Sequence, residues 1–588
     1  MVRAAVWPAT LRGRVALLLL VTAAIAVREA PGWQNAAWGN DFGIYLGITE
    51  RMLDTGELFP AYDGWGTSYQ FFPTFYLLSA SAHVLTGADL VWLMPKVAGI
   101  LGGLGVLLFY LFVAESSRDR RLALLATAFL AFDPIHAYQT AHAAPLTAGH
   151  LFLAASLYGF LRWRRTGKPV LLGLAAAALI PSHHLTTYFF ILSVGGMALG
   201  GLLLGRTGRG QLRRELLFLA VFTAAAFAYW GTVATPVADQ VRNATGLPLV
   251  AVLAVTLALL AAAPRMAGLI GPRLGRLVQR LSRVPPSRAF AITFLAGCLA
   301  LLSAVVLPRG LGPALPAVAL LLLLPPVLVA AFAAAGLLGH LRAGTGSPQL
   351  GMLAALLASL AFALVANSTA LLSYRHLEYL ALPTAALAAT GVLQSLKRSP
   401  RWAATPRRWN RPSPRWAAPV GALLALFVAN AASGVAVMGG ALGIDERIPD
   451  VSLEAVDWLA GNATRSSSVA ADHRLSQILW ARGLNATGDR ADLLWASTDW
   501  WDGVGELAGS AARVDYVLLD HVMVDHGAQS GADDVPAPMS GEAYAKFGRA
   551  PFVRVFRSES EDGTRWAEVY RVDWSWILAH ATRAPGGF

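Results

Sequence analysis

The sequence predicts an all-α polytopic membrane domain of about thirteen transmembrane helices, followed by a small α/β domain outside the membrane. Hydrophobic residues make up 56% of the 588 residues and charged residues only 14%, whereas a soluble domain carries about 25% charged residues. The apolar runs are continuous and about 17–25 residues long, as in spanning helices, whereas barrel strands would be short and alternating. After residue 442 the composition becomes that of a soluble chain, which predicts two domains, 1–442 and 443–588.

The positive net charge of +12 belongs to the first of these domains. Residues 1–442 carry a net charge of +21, and residues 443–588 carry −9. A basic membrane part with an acidic tail reflects membrane topology, so we expect no nucleic-acid partner. The single cysteine, Cys298, excludes a disulfide within the chain.

The positive charges also predict the orientation of the helices. We expect spans near residues 15–31, 89–115, 122–138, 145–163, 169–182, 185–204, 215–234, 247–263, 289–307, 315–338, 350–372, 377–395 and 417–442. With the N-terminus in the cytoplasm, the inside segments hold 28 Lys and Arg, and the outside loops before residue 443 hold five. Because Lys and Arg concentrate on the cytoplasmic side, this predicts a multi-pass protein of the cell membrane with its C-terminal domain outside.

The first outside loop, predicted over 28–88, contains an apolar segment that we do not count as a span. A span at 71–85 would invert every later loop and place the basic loops outside. We therefore expect an interfacial or re-entrant helix there. On the inside, the stretch 401–416 is rich in Arg, Pro and Trp, which predicts contact with anionic membrane lipids.

The C-terminal domain reads as a mixture of helix and short strands. Residues 451–460 have the spacing of an amphipathic helix. Short buried strands are predicted at 468–471, 493–496 and 514–519. The runs 553–556 and 566–572, separated by Glu561–Thr564, predict a hairpin.

Asp41 is the candidate catalytic residue. It stands in the sequence Asn-Asp-Phe-Gly-Ile-Tyr just after the first helix, among aromatic residues at the membrane surface. A carboxylate in that position can act as a general base toward a hydroxyl or amide acceptor. The alternative is a solvated loop acid.

Five more candidates lie at outer helix ends. Asp133, His136 and His142 of the second outside loop could hold a phosphate or a divalent cation such as Mg²⁺ or Mn²⁺, because imidazole and carboxylate are suitable ligands. Ordinary capping of a helix end is the alternative. The adjacent pair His183 and His184 is a further candidate, because polar residues at that depth are usually functional; a structural turn is its alternative.

Arg375 and Glu378 are the last candidates for substrate binding. Arg375 is the only basic residue of its outside loop, and a guanidinium can hold phosphate oxygens through two parallel hydrogen bonds. The alternative is a surface ion pair between Arg375 and Glu378, which would contribute little to stability.

The order of these segments resembles the GT-C superfamily of membrane glycosyltransferases over roughly residues 10–400. The first helix is followed by Asn40–Tyr45, an amphipathic helix, Asp54–Pro60, and then Tyr69–Tyr76. The resemblance implies a sugar donor on a polyprenyl-phosphate or polyprenyl-diphosphate carrier, with Asp41 at the active site and Arg375 at the carrier phosphate. It implies a protein, lipid or glycan acceptor.

The chain departs from the oligosaccharyltransferase branch at two motifs. The second outside loop has no DxD-type acidic motif. The tail sequence Asp499–Gly503 is similar to the WWDYG acceptor-recognition motif but lacks its tyrosine and lies far past the last span, so we interpret the match as chance. Val469–Arg474 stands where that motif is expected. The alternatives to a glycosyltransferase are a transporter or flippase for a lipid-linked or polar solute, and a non-catalytic glycolipid-binding scaffold.

Overall fold

The computed structural model describes residues 7–64, 66–203, 207–306, 316–343, 348–366, 371, 374–398, 414–442, 445–487, 492–499, 513–529 and 536–580. The helices of the first part are α1 (Leu11–Gln34), α2 (Phe42–Thr55), α3 (Thr74–Thr86), α4 (Leu90–Ser117), α5 (Arg120–Ala131), α6 (Pro134–Gln139), α7 (Pro145–Thr166), α8 (Val170–Leu179), α9 (His184–Leu203), α10 (Arg209–Thr232), α11 (Thr235–Thr245), α12 (Leu249–Ser282), α13 (Pro286–Val306), α14 (Val318–Arg342), α15 (Pro348–Val365), α16 (Arg375–Arg398) and α17 (Pro414–Met438).

The C-terminal region combines short helices with strands. Its helices are α18 (Asp450–Asn462), α19 (His473–Ala481), α20 (Asp492–Ala496), α21 (His521–His526), α22 (Gly541–Ala545) and α23 (Trp574–His580). The strands of the chain are β1 (Ala37–Trp38), β2 (Arg447–Ile448), β3 (Ser468–Ala470), β4 (Asn485–Thr487), β5 (Tyr516–Asp520), β6 (Phe552–Glu559) and β7 (Trp566–Val572). The fold class is therefore the predicted one, a helical membrane part with a small α/β part after it.

Within the described ranges, ten helices are long and apolar enough to cross a membrane by length and composition. These are α1, α4, α9, α10 and α12–α17. The other three predicted spans fall on α5 with α6, on α7, and on α8. At about 1.5 Å of rise per residue, the ten residues of α8 extend about 15 Å, half of the hydrocarbon core of a bilayer.

The predicted span at 122–138 is wrong as a single helix. Helix α5 ends at Ala131, and α6 begins at Pro134. Asp133 between them is extended (φ −66°, ψ 120°), and its Oδ1 accepts a hydrogen bond from the backbone N–H of His136 at 2.8 Å. A proline disfavours helical backbone in the preceding residue and suits the first turn of a new helix. The Asp-Pro pair therefore breaks the helix here.

The first helix is longer than the predicted span 15–31, and the start of the first outside loop at residue 28 remains a prediction. Helix α1 continues to Gln34, and Arg28 lies inside it with no exposed surface. The predicted non-spanning segment 71–85 is helix α3, whose 13 residues extend about 20 Å, too short to cross a bilayer alone. Its interfacial or re-entrant position remains a prediction.

The tail contains a five-stranded sheet in the order β4-β3-β5-β7-β6. Strand β3 is parallel to β4 and β5, whereas β7 is antiparallel to β5 and β6. The predicted helix at 451–460, the strands at 468–471 and 514–519, and the hairpin are confirmed. The predicted strand at 493–496 is wrong, because Asp492–Ala496 is helical. Apolar runs of four residues do not distinguish a strand from a buried helical turn.

The tail packs directly on the first loop. Strand β1 pairs with β2 in an antiparallel ladder, with Ala37 opposite Ile448. Helix α2 lies against α19 at two glycines: a Cβ atom on Gly43 would lie 2.3 Å from the backbone of Gln477, and one on Gly47 would lie 2.5 Å from the Trp480 ring. Glycine at both positions lets the two helices approach closely. This contact brings residues of the tail to the start of α2, where Asp41 lies.

Candidate active site

Asp41 occupies the N-cap position of α2, but its side chain does not cap the helix. Its carboxylate instead accepts hydrogen bonds from three side chains. Oδ2 accepts from the Tyr45 hydroxyl at 3.3 Å and the Tyr69 hydroxyl at 3.1 Å, and Oδ1 lies 3.1 Å from Nε2 of His473. The Asp41 side chain is 23% exposed. A carboxylate has about four acceptor sites, so an external donor can still reach it.

Both tyrosines are held as neutral hydrogen-bond donors. Burial raises the pKa of Tyr69 well above its ordinary value, and the nearby Asp41 carboxylate raises it further. Burial likewise raises the pKa of Tyr45, with contributions from Tyr69 and Asp41. A phenol that keeps its proton continues to donate to the carboxylate at any physiological pH. The orientation of the Asp41 carboxylate is therefore fixed by its surroundings.

Arg375 is the first residue of α16. Its Nη1 donates a hydrogen bond to Oε1 of Gln139, and its guanidinium lies 5.3 Å from the centre of the Tyr374 ring. Its positive charge opposes the rise in the pKa of Tyr69. The Arg375 charge is therefore within electrostatic reach of the hydroxyl that binds Asp41.

His183 and His184 form part of the same region. Their rings are 5.0 Å apart, and the ring of Phe72 lies 5.2 Å from that of His184. Burial, the neighbouring His184 and the Arg375 charge lower the pKa of His183 well below its ordinary value, so this imidazole is neutral. Nδ1 of His183 lies 2.9 Å from Oγ1 of Thr186. The two rings offer neutral polar groups beside one fixed positive charge.

His142 contacts both the turn that precedes Asp41 and a residue of the tail. Its Nε2 lies 2.7 Å from Oε2 of Glu446, a residue of the tail, and its ring lies 4.1 Å from that of Trp38. Gly39 has φ +115°, and a Cβ atom there would lie 3.2 Å from the His142 ring. His142 thus supports the turn that precedes Asp41 and ties this turn to the tail.

The other two candidates of the second outside loop have packing partners instead. Asp133 caps α6, which is the alternative role considered for it. Nδ1 of His136 lies 2.9 Å from Nη2 of Arg28, whose Nε donates to Oγ1 of Thr140 at 2.8 Å. His136 is 3% exposed and Arg28 is fully buried. Asp133, His136 and His142 therefore do not converge on one ligand in this structure.

The alternative of a surface ion pair between Arg375 and Glu378 does not hold, because Glu378 has no exposed surface. Its Oε2 lies 3.5 Å from Nε2 of His150, which is also buried. The His150 ring stacks on Tyr379 with 4.8 Å between the ring centres and meets the His136 ring edge-on at 5.2 Å. Glu378 thus belongs to an enclosed polar cluster, and its substrate contact remains a prediction.

The donor set for a metal ion is incomplete in the described part of the chain. No group of three or more His, Cys, Asp or Glu side chains is arranged there to hold a metal ion. Around Asp41 the neighbouring groups are two phenols and one imidazole. Mg²⁺ and Mn²⁺ prefer several oxygen ligands, so these residues do not fit the expected divalent cation.

Sequence reasoning did not select Tyr45, Tyr69 or His473 as site residues. The signal for the tyrosines was present, since both belong to the aromatic groups around Asp41. The signal for His473 was weaker: its segment stands where an acceptor-recognition motif is expected. Gly43 and Gly47 are spaced like a close helix–helix contact, which indicates a partner helix without identifying it. Of the Asp499–Gly503 motif, residues 500–503 lie outside the described residues.

No protein-family model matches the chain, and no curated protein matches it. Solved structures do. The archaeal oligosaccharyltransferase AglB from Archaeoglobus fulgidus, in complex with an inhibitory peptide and a dolichol-phosphate, is 14% identical with a TM-score of 0.58, and the match covers 94% of this chain and 74% of that chain. The enzyme from the same organism tethered to an acceptor peptide with the NVT sequon is 15% identical with a TM-score of 0.56, covering 88% and 70%.

A third structure of the Archaeoglobus fulgidus oligosaccharyltransferase contains Zn and sulfate. It is 13% identical with a TM-score of 0.52, and the match covers 95% of this chain and 73% of that chain. At this level of identity the likeness shows the fold. The chain therefore shares the fold of these archaeal oligosaccharyltransferase structures.

Proposed function

We propose that the protein is a membrane glycosyltransferase that moves a sugar from a polyprenyl-phosphate or polyprenyl-diphosphate carrier to an acceptor at the outer face of the membrane. The observation that carries this proposal is the Asp41 carboxylate. It is oriented by three hydrogen bonds and partly exposed. The Arg375 charge opposes the rise in the pKa of Tyr69, which donates a hydrogen bond to this carboxylate. The fold of known glycosyltransferases supports the proposal.

The proposed reaction is a single inverting displacement. Asp41 takes the proton of the acceptor group as its oxygen or nitrogen attacks the sugar carbon. The bond between that carbon and the carrier phosphate breaks, and its electrons leave with the phosphate. Arg375 stabilises the developing negative charge, because a guanidinium forms strong charge-assisted hydrogen bonds with phosphate oxygens. No step passes through a metal ion.

The orientation of the chain completes the proposal. With the N-terminus in the cytoplasm, Asp41, the His183–His184 turn and Arg375 all lie at outer helix ends, and the tail contacts Asp41 through His473. A lipid-linked donor can then enter sideways from the outer leaflet. The oligosaccharyltransferase structures contain a dolichol-phosphate and an acceptor peptide, which makes a peptide the first acceptor to test.

The test is sugar release from radiolabelled polyprenyl-phosphate sugars by purified protein in lipid vesicles, beside Asp41→Asn. We expect transfer or hydrolysis by the wild-type protein and its loss in the variant. Asp54→Asn is the matched control, because Asp54 is an exposed acid at the end of the same helix. A fully active Asp41→Asn protein would remove Asp41 as the base.

The competing functions predict different results in the same vesicles. A transporter or flippase would move a labelled carrier across the bilayer without cleaving it, and a scaffold would bind it without either effect. Absence of cleavage with every carrier tested, together with binding that ignores Asp41, would overturn the proposal.

A further inference from the structure

The tail contributes one side chain directly to Asp41. His473 is the first residue of α19, and its Nε2 reaches Oδ1 of Asp41 at 3.1 Å across 432 residues of sequence. The His473 side chain is only 5% exposed. Among the described residues, Tyr45 and Tyr69 hold the other oxygen of the carboxylate. His473 therefore supplies a hydrogen bond that the membrane part does not supply.

The neighbours of His473 define which ring nitrogen carries the proton. Nδ1 of His473 lies 3.4 Å from Nε2 of Gln477, one turn further along α19. An amide nitrogen only donates, so with this partner Nδ1 is the acceptor and Nε2 carries a proton. The Nε2–H group then donates to Oδ1 of Asp41. In this arrangement the imidazole acts as a donor to the base and is not itself the base.

A buried ionic network fixes the backbone on both sides of His473. Asp472 caps α19 by accepting from the backbone N–H of Leu475 at 3.2 Å, and it binds Nε of Arg474 at 2.9 Å. Arg474 also binds Asp520 at 3.0 Å, and none of these three charged side chains is exposed. Burial alone would lower the pKa of Arg474, but Asp472 and Asp520 raise it, so this residue stays charged.

Contacts between α2 and α19 align the two helices that carry Asp41 and His473. Beyond the two glycine contacts, Nη1 of Arg482 binds Oε1 of Glu50 at 2.9 Å, and the guanidinium of Arg51 lies 4.1 Å from the Trp480 ring centre. A single anchored oxygen would leave the carboxylate free to rotate, because the χ2 preference of aspartate is broad. Anchoring of the second oxygen by His473 removes this freedom.

We propose that His473 is a positioning residue for Asp41, so that the tail completes the catalytic site. This inference rests on the proposed function, because it assigns a role relative to the base of that reaction. The Nε2–H group of His473 holds Oδ1, the two tyrosines hold Oδ2, and the remaining acceptor site of the carboxylate faces the incoming acceptor. Without the tail, the same carboxylate is held at one oxygen only.

The kinetic experiment compares His473→Gln with His473→Asn. The amide nitrogen of Gln reaches the place of Nε2, whereas that of Asn reaches only the place of Nδ1. We expect His473→Gln to keep most of kcat and the wild-type pH profile. We expect His473→Asn to lose about 10-fold to 100-fold in kcat with little change in the KM for the donor. His580→Gln, in α23 of the tail, is the matched control.

Two kinetic outcomes would overturn the inference. If His473→Gln is as inactive as His473→Asn and loses the acid limb of its pH profile, His473 is itself the proton acceptor. If both variants retain full kcat, His473 has no part in the reaction.

A second measurement tests the contact without any activity. The unfolding temperature of the full chain in detergent is compared for Asp41→Ala, His473→Ala and the double variant. Because the two side chains touch, we expect the double variant to lose less than the sum of the single losses. Additive losses would overturn the contact. The two side chains could also prove coupled in a protein that releases no sugar. That result would contradict the proposed function but would confirm the contact.

Discussion

The Asp41 site and the cluster around Arg28 each contain an ionisable side chain in contact with a histidine, but the two ionisable groups differ in exposure and in their hydrogen bonds. Asp41 is bound by tyrosine and histidine donors and keeps 23% of its side chain exposed. Arg28 is fully buried, and its guanidinium is bound by His136, Thr140 and the backbone carbonyls of Ala24 and Ala131. The first has an acceptor site open to an outside group, and the second has its donors used within the protein.

This difference distinguishes an ionisable residue that can react from one that stabilises the fold. An ionisable group in a membrane is expensive and is retained for a function or for structure. Where its hydrogen bonds are filled by the protein, as for Arg28, it joins helices: Nη1 of Arg28 binds a carbonyl of α5, and its Nε binds Thr140 after α6. Where one site stays open, as for Asp41, it can react. Mutations in the two regions should therefore change different quantities.

The largest expected effect is on turnover at Asp41. Asp41→Asn keeps the shape of the side chain but cannot accept a proton, so we expect kcat to fall by about 10²-fold to 10⁴-fold. The unfolding temperature should stay close to that of the wild type. Steady-state kinetics and thermal unfolding of the same preparation measure both. A large loss of stability would mean that Asp41, like Arg28, is a structural residue.

The opposite pattern is expected at Arg28. Arg28→Met fills a similar volume but removes the guanidinium hydrogen bonds to His136, Thr140 and the carbonyl group of Ala131. We therefore expect a loss of about 1–3 kcal/mol in the free energy of unfolding. Arg12→Met, on the exposed surface of the same helix, should change it little. Denaturation in mild detergent measures the difference. If Arg28→Met keeps the wild-type stability but loses turnover, Arg28 takes part in the reaction.

Arg375 should affect the donor more than the fold. Arg375→Lys keeps the charge but not the forked geometry, and we expect the KM for the polyprenyl-linked donor to rise about 10-fold. Arg375→Gln should raise it further, because the charge is also lost. Initial rates over a series of donor concentrations give this comparison. Equal KM values in all three proteins would contradict a phosphate contact.

A smaller effect is expected for Tyr69→Phe, which removes one of the two hydroxyl donors to Oδ2. We expect kcat to fall about 3-fold to 10-fold, less than for Asp41→Asn, because Tyr45 remains. The pH dependence of stability gives a second readout. The pKa of Tyr69 is raised above 10 in the folded chain, so its contribution is present below pH 10 and is lost as the pH rises through the folded-state pKa. The variant should lose less stability at alkaline pH.

The smallest effect is expected from metal removal. Since the described residues around Asp41 do not provide the oxygen ligands of a divalent cation, we expect EDTA to leave the rate of transfer unchanged. Activity measured with EDTA, and then with added Mg²⁺ or Mn²⁺, checks this. A rate that depends on the cation would require ligands other than the side chains that bind Asp41 here.

Much of the fold followed from local patterns. The apolar runs predicted the spanning helices, and the composition change after residue 442 predicted a different kind of structure in the tail. Two predictions of secondary structure were wrong, each because the apolar pattern did not determine the local backbone. The apolar pattern continued through Asp133-Pro134, where the backbone turns, and the four-residue run at 493–496 was too short to distinguish strand from helix.

The site was harder, because its residues come from distant parts of the chain. Asp41 was identifiable from its aromatic neighbours and its place at an outer helix end. Glu378 looked like a surface residue beside Arg375, and its burial depends on the packing of α7 against α16, where it meets His150. The sequence pattern of a polar residue at a helix end is the same whether its side chain contacts a ligand or a neighbouring helix.

The sequence by itself determined the fold class, the approximate spans and the acid that follows the first helix, since hydrophobicity, charge and turn residues act over short distances. Only the tertiary structure decided the partners of that acid. His473 meets Asp41 because two glycines admit α19 against α2 and a buried arginine anchors the segment. Such contacts depend on the summed packing of both parts, and no local pattern encodes a pairing across 432 residues.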